Sequence, residues 1–170
     1  MKKRISAWLK KTPVLHHIPR LYRYIKLKWY YSLIKDKEAL FTSYYQMNNW
    51  SDGESVSGPG STLDYTINIR KELPVLVQEY NVKTLLDVPC GDYNWFGEMH
   101  FDTPITYIGG DIVQPLIERN KELFEDEQTT FLHLDITSDP LPEADLWLCR
   151  DCLIHFSNRD IYKTLRIFLN

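Results

Sequence analysis

Beyond residue 80, apolar positions fall into short runs separated by polar stretches, at the pace of alternating strands and helices. The runs at 84–89, 105–111, 130–135 and 145–150 predict strands. Between and after them the spacing predicts a short helix near 94–99, a longer one near 114–125 and a last one near 158–169. Ser157 and Asp160 suit the cap of that last helix, whose Ile161, Leu165 and Phe168 would face a sheet. Four strand–helix repeats of this kind predict an α/β fold around a parallel sheet. Upstream, Leu21, Ile25, Trp29 and Leu33 recur every four residues behind Pro19, the pattern of one amphipathic helix. Residues 48–61 are too rich in Asn, Ser, Gly and Pro for helix or strand and read as a loop. Helical signals resume at Ser61 and Asp64, with Leu63 and Ile67 apolar and Pro74 expected to break or restart the helix. The chain thus divides into a helical extension over 1–47, a Gly/Ser loop over 48–61 and a core over 62–170.

Composition sharpens this division. With 170 residues, 44% of them apolar, one ordinary core is expected. The net charge of −3 hides a split: positions 1–35 hold ten Lys and Arg and no acid, leaving ten basic against twenty-three acidic residues, or −13, for positions 36–170. The basic aromatic helix at 20–34 suits peripheral contact with an anionic membrane; its blander reading is a packed extension with solvated lysines. The acidic body argues against nucleic acid as a partner. Three cysteines are too few, and odd in number, for a secreted disulfide scaffold, which points to a reducing, cytoplasmic setting. No apolar run of about 18 residues predicts a spanning helix, and Lys10 and Lys11 interrupt any signal-peptide core.

The candidate chemistry lies where strands end. Thr84 to Tyr93 is an apolar strand running into a tight turn, and Asp111 follows Gly91 by twenty positions at the end of the second strand. A turn residue without Cβ lets backbone approach a ligand, and a carboxylate at the next strand end accepts hydrogen bonds from ribose hydroxyls, so this pairing predicts nucleoside binding. Asp87 and Asp135 also suit simple capping of the turns after their strands, and Gly91 a tight turn alone. A nicotinamide dinucleotide fits poorly, because Pro89, Gly91 and Asn94 stand at the three-glycine spacing and Asp92 brings negative charge to the place of a pyrophosphate. Cys149 and Cys152, with His155 and Cys90, raise a zinc or redox alternative that lacks the usual second ligand pair. The 48–61 loop reads either as a linker or as a lid with glycine hinges.

Taken together, Leu85 to Gly91, Tyr107 to Ile112, Phe131 to Ile136 and Asp145 to Asp151 resemble, in order and spacing, the class I S-adenosylmethionine-dependent methyltransferases over positions 81–170. Asn49 to Ser61 resembles the loop before the core in a bacterial subgroup often found among glycan-modifying genes. The resemblance implies a Rossmann-like doubly wound parallel sheet, with its four readable strands in the order 3-2-1-4, and S-adenosylmethionine as cofactor. Asp87 would orient the first loop or the methionine amino group, Pro89, Cys90 and Gly91 would form the loop, and Asp111 with Ile112 would meet the ribose. Asp135 and Ile136 would sit beside the adenine. Arg150, Asp151 and His155 would border the methyl-transfer site, and His155 or Asp151 would take the proton of a hydroxyl acceptor. A sugar hydroxyl or another small molecule is the implied acceptor, with no metal.

Two departures from the family pattern stand out. Pro89 and Tyr93 replace loop glycines, so Tyr93 must point away from the ligand or stack on it. The family also has seven strands where four are readable, which implies a truncated or partial sequence and an exposed apolar edge at 145–148 open to self-association. A partner covering that edge would instead make the chain a binding protein of the same fold.

Overall fold

The computed structural model describes residues 36–50 and 52–169, so the amphipathic helix at 20–34 and its membrane contact lie outside the described residues. The chain divides into two compact units, Met1–Leu40 and Phe41–Asn170. In the first, Asp36 Oδ1 accepts the Ala39 N–H at 2.7 Å, at the start of helix α1 (Lys37–Gln46).

The second unit carries α2 (Ile67–Glu79), β1 (Thr84–Asp87), β2 (Thr106–Asp111), α3 (Gln114–Phe124), β3 (Thr129–His133), β4 (Leu146–Leu148) and α4 (Asn158–Phe168), with single 3-10 turns at Pro59–Ser61 and Leu153–His155. The four strands form one sheet, every pair parallel as the strand–helix alternation predicts and in the order β3-β2-β1-β4 that the resemblance implies. Parallel strands bury both faces, and the side chains alternate accordingly. Leu85, Tyr107 and Phe131 pack on one face with Leu73 and Val77 of α2 and Ile117 of α3. Leu86, Ile108 and Trp147 pack on the other with Val88, Leu134 and Ile136. There the Phe168 ring of α4 meets Trp147 at 4.5 Å, so helices cover both faces and the sheet is doubly wound. Register at the amino end is fixed by Asp145, whose Oδ2 accepts the N–H groups of Lys83 and Thr84 at 2.8 and 2.9 Å. Those two bonds hold its carboxyl below the usual range.

Several local expectations are corrected. No helix forms at 94–99: Gly97 N–H bonds to Tyr93 O and Met99 N–H to Phe96 O, closing turns that send Trp95, Phe96 and Met99 all into the core. Pro74 does not break α2, because buried Leu73 and Val77 on either side of it hold the helix in place while one backbone bond is forgone. The helix starts later than Ser61, since Thr66 spends its hydroxyl on Thr62 O at 2.7 Å before α2 begins. In α4, Thr164 is the buried residue, while Leu165 and Phe168 are 41% and 47% exposed, because the inward stripe runs through 161, 164 and 167. The Ser157 cap is present, its Oγ accepting the Asp160 N–H at 3.2 Å. Among the described residues no helix is long and apolar enough to cross a membrane.

Candidate functional site

Open α/β sheets bind ligands beyond the carboxyl ends of their strands, where successive loops part. Here β1 ends at Asp87, which is buried and accepts the Tyr107 O–H on Oδ2 at 2.9 Å. Burial lifts its carboxyl to about 7, opposed by the Tyr107 hydrogen bond and the Arg150 charge and assisted by Asp111. The chain then stitches itself to both neighbouring strands, Val88 N–H to Leu148 O and Cys90 N–H to Gly110 O. Gly91 adopts a left-handed φ of 58° and donates its N–H to Asp111 Oδ2 at 3.1 Å, while its carbonyl accepts Asn120 Nδ2 at 2.8 Å. Burial raises the Asp111 carboxyl against hydrogen bonds from the backbone of Val113, Gly91 and Ile112. Tyr93 points away from the turn: its ring lies 5.1 Å from Tyr107 and from Phe124 and 5.3 Å from Phe131, inside the aromatic core.

The segment from Asp52 to Ser61 is strapped onto this turn. Asp92 accepts Ser55 Oγ on both carboxylate oxygens at 3.0 and 2.9 Å, Val56 N–H at 2.8 Å and Ser57 Oγ at 3.2 Å. Its own N–H donates back to Ser57 Oγ at 3.0 Å. In the opposite sense, Asn94 Nδ2 donates to Glu54 Oε1 at 2.8 Å and to Ser61 O at 3.0 Å. The strap passes so close that a Cβ on Gly91 would run into the Ser57 hydroxyl. At its far end, Arg150 Nη2 donates to Gly60 O at 2.7 Å and to Ser61 Oγ at 3.3 Å.

The other predicted residues follow the next two strands. Beyond β3, Asp135 Oδ1 accepts both the N–H and the hydroxyl of Thr137, at 2.8 and 2.7 Å, and Ile136 is buried. Ile112 is half-buried, its carbonyl 3.0 Å from His133 Nε2. Beyond β4, the Arg150 guanidinium lies 5.1 Å over the Trp95 ring and pairs through Nη1 with Asp151 at 3.0 Å. Asp151 is exposed at a φ of 52°. His155 is exposed in the 3-10 turn, its ring edge-on to Phe41 at 6.4 Å. Asp87, Cys90, Gly91, Asp111 and Arg150 therefore gather at one junction, whereas His155 stands on the separate turn that follows Arg150.

Cys149 and Cys152 hydrogen-bond to each other, which lowers the Cys149 thiol and pushes the Cys152 thiol up, while burial raises Cys90. Among the described residues no group of three or more His, Cys, Asp and Glu side chains is placed to hold a metal ion. Iodoacetamide at neutral pH is expected to label half-buried Cys149 before buried Cys90 and Cys152, read by peptide mass spectrometry. A first label on Cys90 would show that the Gly91 turn opens in solution.

No protein-family model matches the chain, and no curated protein matches it. Among solved structures, it is similar to human N-acetylserotonin methyltransferase in complex with SAM, at 16% identity and a TM-score of 0.46 over 74% of this chain and 44% of that one. It is also similar to magnesium protoporphyrin IX methyltransferase from Synechocystis PCC 6803 with bound SAM, at 15% identity and a TM-score of 0.48 over 79% and 71%. A third, described as a possible exported protein from Bordetella parapertussis, shares 13% identity at a TM-score of 0.45 over 94% and 54%. The chain thus spans less than two thirds of the first and third of these, and likenesses at such identities concern fold, not activity.

Three residues of the junction escape the sequence reading. Asn120 had a visible signal, a polar residue in the buried stripe of α3 with Leu116 and Ile117. Ser55 and Ser57 had none, since their partner Asp92 lies 37 and 35 positions away.

Proposed function

We propose that the chain binds S-adenosylmethionine and transfers its methyl group. The observation that carries this reading is the pair of carboxyl groups beside one glycine turn, Asp87 and Asp111, both buried at the ends of β1 and β2. Such a site repels a pyrophosphate and suits a cation that also carries hydroxyls. S-adenosylmethionine joins a sulfonium and an ammonium to a ribose, and it supplies an already electrophilic methyl carbon. The Asp111 carboxyl, at the end of β2, suits a ribose hydroxyl. Asp87 suits the ammonium, and Arg150, which is close enough to lower the Asp87 carboxyl, suits the carboxylate of the same amino-acid group.

Methyl transfer asks the protein mainly to position a nucleophile in line. For an acceptor hydroxyl, a base must take the proton. Asp151 is occupied by its ion pair with Arg150, so His155 is the better candidate. A sugar hydroxyl is the first acceptor class to try. Calorimetric titration with S-adenosylhomocysteine is expected to give saturable one-site binding, and Arg150→Ala to weaken it by roughly 10-fold or more, the loss of one charged hydrogen-bonded contact. Absence of binding by folded protein would end this reading.

A further inference from the structure

Between 52 and 61 the strap buries only Ser55 and Gly58, and neither Val56 nor Pro59 enters the core. Apolar packing therefore contributes little to holding it down, and part-buried hydrogen bonds carry the hold; segments with few buried apolar contacts are the ones that open locally. The bonds themselves are unevenly distributed. Asp92 alone collects both serine hydroxyls and the Val56 N–H, and hydrogen bonds to an ionised carboxylate are about twice as strong as neutral ones. Both Asp92 oxygens are committed to the strap, which leaves this carboxylate facing away from any ligand at the Asp87–Asp111 junction. The far end is tied separately, by Arg150 to Gly60 O and by Asn94 to Ser61 O. Opening the Asp92 end would thus swing residues 55–58 while Glu54, Gly60 and Ser61 stay attached.

What the strap covers gives the latch its consequence. The Ser57 hydroxyl fills the space a side chain at Gly91 would need, so the strap forms the wall on that side of the turn. A ligand reaching the turn from that side must displace Ser57.

We propose that Asp92 is a positioning residue: by latching Ser55, Val56 and Ser57 over the Gly91 turn, it closes one wall of the cofactor cleft and sets how long the cofactor stays bound. This rests on the cofactor reading above. The latch acts through the strap and makes no contact with the cofactor itself, so its signature is kinetic.

The test combines two measurements on the full chain, hydrogen exchange of peptides covering 52–61 and stopped-flow dissociation of S-adenosylhomocysteine. Asp92→Ala is expected to remove exchange protection from 52–61 and to speed dissociation by about 10-fold, with association nearly unchanged. Asp92→Asn, which keeps one acceptor, should recover part of both effects. A Ser55→Ala/Ser57→Ala double variant keeps every side chain of the 91–94 turn, giving up there only the Asp92 N–H bond to Ser57 Oγ, and should reproduce most of the Asp92→Ala result even if that variant folds poorly. Unchanged exchange at 52–61 in both Asp92→Ala and the serine double variant would overturn the latch. Raised exchange with unchanged dissociation would overturn its role in retention. If wild-type protein binds no S-adenosylhomocysteine, the cofactor reading falls and takes the retention role with it, while exchange still decides whether Asp92 holds the strap.

Discussion

Asp111→Ala is expected to weaken S-adenosylhomocysteine binding by roughly 10- to 100-fold, the worth of one hydrogen bond to a charged group, and to destabilise the fold as well. The two effects have different causes. Removal of the carboxylate strands the N–H groups of Gly91 and Val113, which it now accepts at 3.1 and 3.0 Å in a site only 6% exposed. Leaving buried donors unpaired costs about 1–3 kcal/mol each. Relief from burying the charge offsets part of this loss, since burial already disfavours ionised Asp111. Stability alone therefore cannot assign the residue to the ribose. The decisive comparison is a cycle between the side chain and the ligand: wild type and Asp111→Ala, each titrated with S-adenosylhomocysteine and with its 2′,3′-dideoxy analogue. Wild type should prefer the hydroxylated ligand by roughly 10-fold or more and the variant should barely distinguish them. Equal discrimination by both proteins would place the ribose elsewhere.

Much of this site was legible because its signals are local. A strand, a turn and the next strand lie within thirty residues, and Asp87, Gly91 and Asp111 occupy positions fixed by parallel pairing, with Asp87 opposite Gly109. The sheet order came from the family resemblance and matches the β3-β2-β1-β4 arrangement. What was not legible depends on contacts distant in sequence. Asp92 looked like a charge obstructing a phosphate, yet it anchors a segment 35–37 positions upstream. Tyr93 left two directions open, and four aromatic neighbours, Phe96, Tyr107, Phe124 and Phe131, decided between them. The 94–99 stretch closes as hydrogen-bonded turns in place of a helix, with Trp95, Phe96 and Met99 all in the core.

Asp87 exposes a conflict between stability and binding that pH should reveal. Its carboxyl lies at about 7 in the fold against 3.8 as the ordinary value, so the folded state prefers it protonated. A raised pKa contributes stability that is fully present below about pH 4 and is lost as pH rises through 7; above that, the buried charge costs about 4 kcal/mol at 1.36 kcal/mol per unit. Asp87→Asn removes the titration, keeps the volume and still offers Oδ1 to the Tyr107 hydroxyl. In urea unfolding the variant should match wild type below about pH 4 and exceed it by several kcal/mol at pH 8. A difference that stays constant from pH 5 to 8 would mean that Asp87 does not titrate in the fold. The gain in stability should come with a loss of function. The bound ligand's ammonium favours ionised Asp87, so wild-type affinity for S-adenosylhomocysteine should rise through pH 7 with release of up to one proton, seen as a buffer-dependent enthalpy. The amide of the Asp87→Asn variant offers no charge to that ammonium, so the variant should bind more weakly and with no proton release from this position. A carboxyl kept buried at a cost in stability is what a binding site retains and a structural cap would discard.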